Sequence, residues 1–253
     1  MGNADRLRQI GDAVRAAGSL TVAELAALAG ASEMTVRRDL DALAAQGVLE
    51  RVRGGARSLV LRGEEPPFAL RAQDGAEAKA RVAAAVVDLI GDGETVVLDS
   101  GTTCLEVARL LRGRRVTVMP LSLQAVAVLA EGAGQASLLV PGGRPRPGEG
   151  ALTGPLALAS LAAVRFDTAV IGCCGLAADQ GLTAYDLDDA AVKQAAIRSA
   201  RRVVAATDSG KLTRTAHAFV TPVAALDTLV TDRSAPREAL DAIGAAGVTV
   251  RTV

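Results

Sequence analysis

The chain is poor in the residues on which several kinds of function depend. Its 253 residues include three cysteines, Cys104, Cys173 and Cys174, two of them adjacent. That number and spacing fit neither a disulfide framework nor a zinc site, and they suit a reducing interior. The single histidine, His217, lies by a short apolar run and suits a structural role better than a catalytic one. No apolar run reaches the roughly 18 residues a membrane span needs. The amino-terminal MGNADRLRQIGDAVRAAG has no signal-peptide core, so a cytoplasmic protein with no membrane partner is expected. The formal net charge is zero, which excludes a basic coat protein. Lysine is scarce as well: of 28 basic residues only Lys79, Lys193 and Lys211 are lysine, and arginine does the ordinary surface work. No cofactor, metal ion or catalytic residue set is expected.

What is present is globular: half the residues are apolar and 22% are charged. The length suits about two domains. We expect a DNA-binding domain over 1–58, a linker over 59–74 around the polar RGEEPP run, and a second domain over 75–253. Phe68 is a candidate anchor for the linker.

Thr21 followed by Glu24 is a capping box, so a helix should begin at Val22, with Leu25 and Leu28 as its apolar contacts and Gly30 at its end. Ser32 should cap a second helix on which Val36, Leu40 and Leu43 form one stripe. Ala26, Gly30 and Val36 stand at positions 5, 9 and 15 of a window opening at Val22, the steric pattern of a helix-turn-helix. Met34, Thr35, Arg37 and Arg38 then face outward at the start of a recognition helix. A plain helical hairpin with a solvated arginine face is the simpler alternative. Against it, Gly47 should end the second helix, residues 48–53 alternate like a strand, and Gly54-Gly55 make a turn. That is a basic wing able to bring Arg51, Arg53 and Arg57 to phosphates. Thr21, Ser32, Met34, Thr35, Arg37, Arg38, Arg51 and Arg53 are the candidate contacts to double-stranded DNA. Bulk charge does not help, since residues 1–57 hold eight Arg against seven Asp plus Glu.

From Gly75 onward, helical stretches alternate with short apolar runs at 94–99, 116–119, 137–140, 167–172, 202–207, 218–220, 228–230 and 248–250. That alternation implies an α/β domain with a mostly parallel sheet covered on both faces. Ligands of such sheets bind at the carboxyl ends of the strands. There, Asp99-Ser100-Gly101-Thr102-Thr103 should open a helix at Cys104 and offer hydroxyls and free N–H groups to a phosphate. Gly142-Gly143, Gly175 and Thr183 fall in glycine-rich loops after other strands. Lys193, at i+4 from Asp189, and Lys211, after Asp208-Ser209-Gly210, could each serve as a point charge on a phosphate or as an ordinary surface lysine.

The segment ASEMTVRRDLDALAAQGVLERVRGGA resembles the DNA-binding signature of the DeoR family of bacterial repressors of sugar metabolism. The resemblance continues through LDSGTT, Gly142-Gly143, Gly154, GLT at 181–183, DDAAVK at 188–193 and DSGK at 208–211, and so covers nearly the whole chain. It implies a second domain of the ribose-5-phosphate isomerase fold that senses a phosphorylated sugar or similar anionic metabolite and releases the operator on binding it. Carried over by position, the effector site comprises Asp99, Ser100, Gly101, Thr102, Thr103, Gly142, Gly143, Gly175, Thr183, Asp189, Lys193 and Lys211. The sequence departs from the family in three places: Pro120-Leu121-Ser122 replaces Thr-Asn-Ser, Asp189 replaces glutamate, and Gly210 replaces a hydroxyl residue. With the stiff, basic Arg144-Pro145-Arg146-Pro147 loop, these point to a ligand smaller, differently shaped or more acidic than the family norm.

The expected function is therefore a transcriptional regulator, most simply a repressor of carbohydrate-metabolism genes, acting as a homodimer or homotetramer on paired half-sites. The alternative from another class is a sugar-phosphate isomerase with an appended helix-turn-helix, drawing on Asp99, Asp189, Asp208 and the lysines. A ligand-independent architectural DNA binder would leave the glycine-lined strand ends unexplained.

Overall fold

A computed structural model of the protein describes residues 3–45, 48–58, 65–131, 134–212 and 214–253. The chain forms two compact units that divide between Pro66 and Pro67. Gly47, expected to end the recognition helix, and residues 59–64 of the expected linker lie outside the described residues.

The first unit begins with α1 (Asn3–Ala17), whose Ile10 and Val14 are buried in its core. A short strand, β1 (Ser19–Thr21), leads into α2 (Val22–Ala29). The capping box forms as its residues dictate: the Glu24 N–H donates to the Thr21 hydroxyl at 3.2 Å, and the Thr21 N–H donates to the Glu24 carboxylate at 2.8 Å. Gly30 ends α2 in the left-handed conformation, with φ +59°. The Thr35 N–H donates to Ser32 Oγ at 3.2 Å and so caps α3 (Glu33–Ala45). Val36, Leu40 and Leu43 are buried on one stripe of α3, packed with Leu25. Leu28 differs from expectation: it is exposed, because only Leu25 of the pair lies on the inward face of so short a helix.

The wing is β2 (Leu49–Val52) and β3 (Gly55–Ser58), antiparallel, with β1 on the outer side of β3. That third strand was not foreseen. Gly55 permits it: a Cβ there would lie 2.2 Å from the Leu20 carbonyl oxygen.

The second unit opens with α4 (Phe68–Gln73), inside the span expected to be linker, and α5 (Ala76–Val87). Phe68 is half-buried, with the Arg71 guanidinium 5.7 Å from its ring centroid. There follow β4 (Thr95–Leu98), α6 (Thr102–Leu111), β5 (Thr117–Pro120), α7 (Leu123–Ala130) and β6 (Ser137–Leu138). A small ribbon, β7 (Arg144–Pro145) with β8 (Leu152–Thr153), precedes α8 (Pro155–Ala162). Next come β9 (Phe166–Ile171), the hairpin β10 (Gly175–Ala177) and β11 (Gly181–Ala184), and α9 (Leu187–Arg198). The chain ends with β12 (Ala200–Ala206), β13 (Ala218–Thr221), β14 (Thr228–Thr231), α10 (Arg237–Ala245) and β15 (Thr249–Thr252).

Seven strands make a parallel sheet in the order β15-β14-β12-β9-β4-β5-β6, which bears out the expected α/β class. Successive residues of each strand enter opposite cores, as strand geometry requires. Val96, Leu98, Val170 and Val204 pack with α5, α6 and α7, whereas Val97, Ala169, Ile171 and Ala205 pack with α8, α9 and the small sheet β10-β11-β13. At the amino ends of the strands, Arg202 on β12 grips both oxygens of Glu94 at 3.1 and 3.0 Å and also reaches Thr168 on β9. Among the described residues no helix is long and apolar enough to cross a membrane.

Candidate functional site

Two surfaces carry chemistry, one in each unit. In the first unit, α3 presents Met34, Arg37 and Arg38 to solvent, with Thr35 half-buried. A bidentate tie fixes the helix in place. Asp39, buried on the inner face, accepts from Arg6 of α1 at 2.6 and 3.1 Å. The exposed arginines are not equivalent. Arg37 pairs with Glu33 one turn back at 3.2 Å, Arg51 with Asp41 at 3.3 Å, and Arg57 with Glu50 across the wing. Arg38 and Arg53 have no ion partner among the described residues. Thr21 and Ser32 are exposed, with hydroxyls already engaged at their helix starts.

In the second unit, strand order reverses between β4 and β9, since the chain first builds β5 and β6 on one side of β4 and then β9, β12, β14 and β15 on the other. The carboxyl ends of strands beside such a switch point are where open α/β sheets hold ligands. The Gly172 N–H at the end of β9 donates to the Asp99 carboxylate at the end of β4, at 2.9 Å. Helix α6 starts at Thr102, two residues earlier than expected, so Thr102 and Thr103 form its first turn and Gly101 is its uncapped N-cap. The first N–H groups of an α-helix have no partner within it, and no side chain caps these. Lys211 ends a short 3-10 turn (Ser209–Lys211) after β12, half-buried and with no ion partner among the described residues.

Beneath this edge lies a buried ionic triad. The Lys193 ammonium on α9 donates to Asp99 at 2.6 Å and pairs with Asp189 at 3.3 Å, all three side chains being almost wholly buried. Burial works against the charge on Lys193, but Asp189 and Asp99 outweigh it and hold the ammonium well above its ordinary pKa. With two carboxylates to one ammonium, burial pushes the Asp99 carboxyl up to about 6 against the pull of Lys193. Lys193 is thus neither a surface lysine nor an ammonium open to a ligand. Its charge is spent inside the protein.

Other expected positions fall differently. Gly175 and Thr183 are in paired strands, not loops. The Thr183 hydroxyl is used internally: it donates to the Gly175 carbonyl at 3.2 Å and accepts from the Ala216 N–H at 2.9 Å. Gly142 and Gly143 pack against the start of α8, at Leu156 and Ala157, and the Gly142 N–H donates to Ser160 further along that helix at 3.0 Å. Their link to the triad is indirect, through the neighbouring Arg144, which pairs with Asp188 at 3.6 Å. The structure therefore brings together the ends of β4, β9 and β12, with Asp99 to Thr103, Asp189, Lys193 and Lys211, and leaves the paired glycines beside that group.

Several residues at these strand ends were missed. Cys173 lies between these strand ends, with Thr207 hydrogen-bonded to its thiol; burial pushes that thiol up to about 11 and the Cys104 thiol well above its ordinary value, so neither is a thiolate nucleophile at neutral pH. Asp232 at the end of β14 accepts from the Ser209 N–H at 2.6 Å and the Ser234 N–H at 3.0 Å. Burial opposes its ionisation, but those N–H groups keep its carboxyl below the usual range and so fix the turn that carries Lys211. Lys79, nearly fully buried on α5, was passed over although the scarcity of lysine marked it.

A winged helix-turn-helix with an exposed arginine edge, carried on one chain with an α/β unit whose polar loops gather at its switch point, defines a DNA-binding transcriptional regulator with a sensor unit. Residues 6–60 match the DeoR-like helix-turn-helix domain and residues 74–233 the DeoR C terminal sensor domain. A transcriptional repressor assigned to the aga operon of Escherichia coli O157:H7 is 32% identical over 254 residues, covering 98% of this chain and 93% of the relative. The HTH-type transcriptional repressor CsqR of Escherichia coli K12 is 32% identical over 222 residues (87% and 84%), and the glycerol-3-phosphate regulon repressor of the same strain 28% over 226 (88% and 88%). The chain belongs to the DeoR family. Among solved structures, ribose 5-phosphate isomerase A of Methanocaldococcus jannaschii overlaps 55% of each chain at TM-score 0.41 and 18% identity, a partial likeness that says nothing of activity.

Proposed function

We propose that the protein is a repressor of carbohydrate-metabolism genes that leaves its operator when a phosphorylated sugar occupies the cleft at the ends of β4, β9 and β12. One observation carries the reading: the start of α6, Gly101 to Thr103, which no side chain caps, stands on the same sheet edge as Lys211, whose ammonium has no ion partner among the described residues. Free N–H groups and a lone ammonium on one edge suit a phosphate. Asp99, Asp189 and Lys193 form the floor beneath the ligand and shape it, and Gly142, Gly143, Gly175 and Thr183 hold the walls. That a relative is a glycerol-3-phosphate regulon repressor supports a phosphate ester as effector.

On the DNA side, Arg38, Arg37, Thr35 and Met34 enter the major groove, Arg51 and Arg53 meet phosphates from the wing, and Thr21 and Ser32 lie at the backbone. The protein acts on paired half-sites as a homodimer or homotetramer. The isomerase alternative is weakened because Lys193 and Asp99, its natural acid–base pair, are tied to each other.

A thermal-shift screen tests the effector. Phosphorylated sugars at millimolar concentration should raise the melting temperature, and the same sugars without phosphate should not. If no phosphate ester shifts the transition, the reading is lost.

A further inference from the structure

Among the described residues, the most exposed large apolar side chains of the second unit are Val140, Leu156 and Leu187, at 63%, 68% and 71%. They gather at one edge. Helices α8 and α9 pack together and lead into β9 and β12, which are parallel neighbours, so both helices run the same way and start at the same end of the sheet. Leu156 is the second residue of α8 and Leu187 the first of α9. Val140 lies just before Gly142, where an added Cβ would be 3.0 Å from that of Leu156. The β7–β8 ribbon joins the set: Gly143 backs onto Ala157 of α8, and Arg144 pairs with Asp188 of α9 at 3.6 Å.

Clustered apolar surface left in water marks an interaction site, and its chemistry narrows the occupant. The pair at its border carries one charge of each sign, both side chains well exposed, so it offers no net attraction to a nucleic acid or an anionic membrane. Strand addition to the ribbon is disfavoured, since Pro145 on β7 has no N–H to donate. What fits is a surface of the same character, apolar at its centre with one cation and one anion at the rim. The patch itself is such a surface. Across a twofold axis Arg144 can face the partner's Asp188 while Asp188 faces the partner's Arg144. Zero net charge on the chain puts no long-range repulsion between copies. The prolines at 145 and 147 stiffen the ribbon, so little freedom is lost when it docks.

Resting on the reading of paired half-sites, we propose that the starts of α8 and α9 and the β7–β8 ribbon form an isologous interface with a second copy of this chain. Leu156 and Leu187 are buried at its centre, and the Arg144–Asp188 pairs are exchanged between the protomers.

Sedimentation of the full chain from nanomolar to micromolar concentration tests this without DNA or effector. The unmodified chain should dimerise, and Leu156→Glu and Leu187→Glu should each weaken the dimer about tenfold or more. Two charge variants make the sharper test. Arg144→Asp leaves two acids at the rim, and Asp188→Arg leaves two arginines. Each alone should self-associate about tenfold or more weakly than the unmodified chain, because like charges then meet across the axis. An equimolar mixture of the two should recover the unmodified affinity, since every rim contact in the mixed dimer joins opposite charges. A merely structural role for the pair cannot give that recovery, because neither variant repairs the other within its own chain. Dimers that all four variants leave intact, or a mixture no tighter than its components, overturn the inference and spare the half-site reading. A chain that stays monomeric over the whole range and on duplexes with paired half-sites removes both. The mixture decides the matter even where a leucine variant folds poorly.

Discussion

At the scale of single residues, the two lysines of the expected effector site separate by burial. Lys193 is enclosed with Asp99 and Asp189. Removing one partner from such a cluster leaves uncompensated buried charge, which costs about 3–5 kcal/mol. Urea denaturation of Lys193→Met should show a loss of that size, and a loss below about 1 kcal/mol would mean the triad is not closed to water. Lys211 has no ion pair to lose, so Lys211→Met should stay within about 0.5 kcal/mol of the unmodified stability. The same substitution should weaken phosphate-ester binding about tenfold or more, the worth of one hydrogen bond to a charged group. Unchanged affinity by calorimetry would remove Lys211 from the site. Asp99 gives a pH signature. Its folded value, about 6, lies above the ordinary 3.8, so its contribution to stability is full below pH 3.8 and lost as pH rises through 6. The melting temperature of the unmodified protein relative to Asp99→Asn should therefore fall between pH 4 and 7. A constant difference over that range would refute the assignment.

Elements show which parts of the fold are written locally. The start of α2 was legible because a capping box is made by residues three apart, and Gly30 because a left-handed turn needs glycine. The parallel strands were legible from their apolar runs. Strand β1 was not: Ser19–Thr21 has no strand signature of its own and is extended because β3 lies beside it. The β10–β11 hairpin read as loop because of its glycines. Yet a Cβ on Gly175 would lie 2.3 Å from the Arg214 carbonyl oxygen, so that glycine records a close backbone approach and not a turn. The site was legible in the same measure. Sequence spacing exposes Asp189 to Lys193, but Asp99 stands 94 positions away, and its claim on the ammonium is visible only in three dimensions. The wing supplies the matching prediction. Gly55→Ala forces β3 away from Leu20 and should destabilise the first unit by about 1–3 kcal/mol, the usual range for overpacking. Circular dichroism melts should show the transition of the first unit falling and that of the sensor unit holding. An unchanged melt would mean that β1 is not closely seated.

For the molecule as a whole, zero net charge sets how it can hold DNA. A neutral chain gains little long-range steering, so salt dependence must come from the few arginines placed against phosphates. Those arginines are not equally available. Arg51 and Arg57 already hold Asp41 and Glu50, and Arg37 holds Glu33, whereas Arg38 and Arg53 are exposed with no ion partner among the described residues. A paired arginine must give up its carboxylate before it meets a phosphate, and the acid left behind repels the duplex. On duplexes selected from a random library, Arg53→Ala should lower the slope of log affinity against log salt by about 1, the signature of one lost phosphate contact. Arg38→Ala should instead cost about 1–3 kcal/mol on the selected sequence and relax preference at one base pair, because a bidentate arginine reads guanine. Arg57→Ala should change both little. The opposite ranking, with Arg57 dominant and Arg38 and Arg53 silent, would mean that the ion pairs of the wing break on DNA and that the free protein does not display its binding edge.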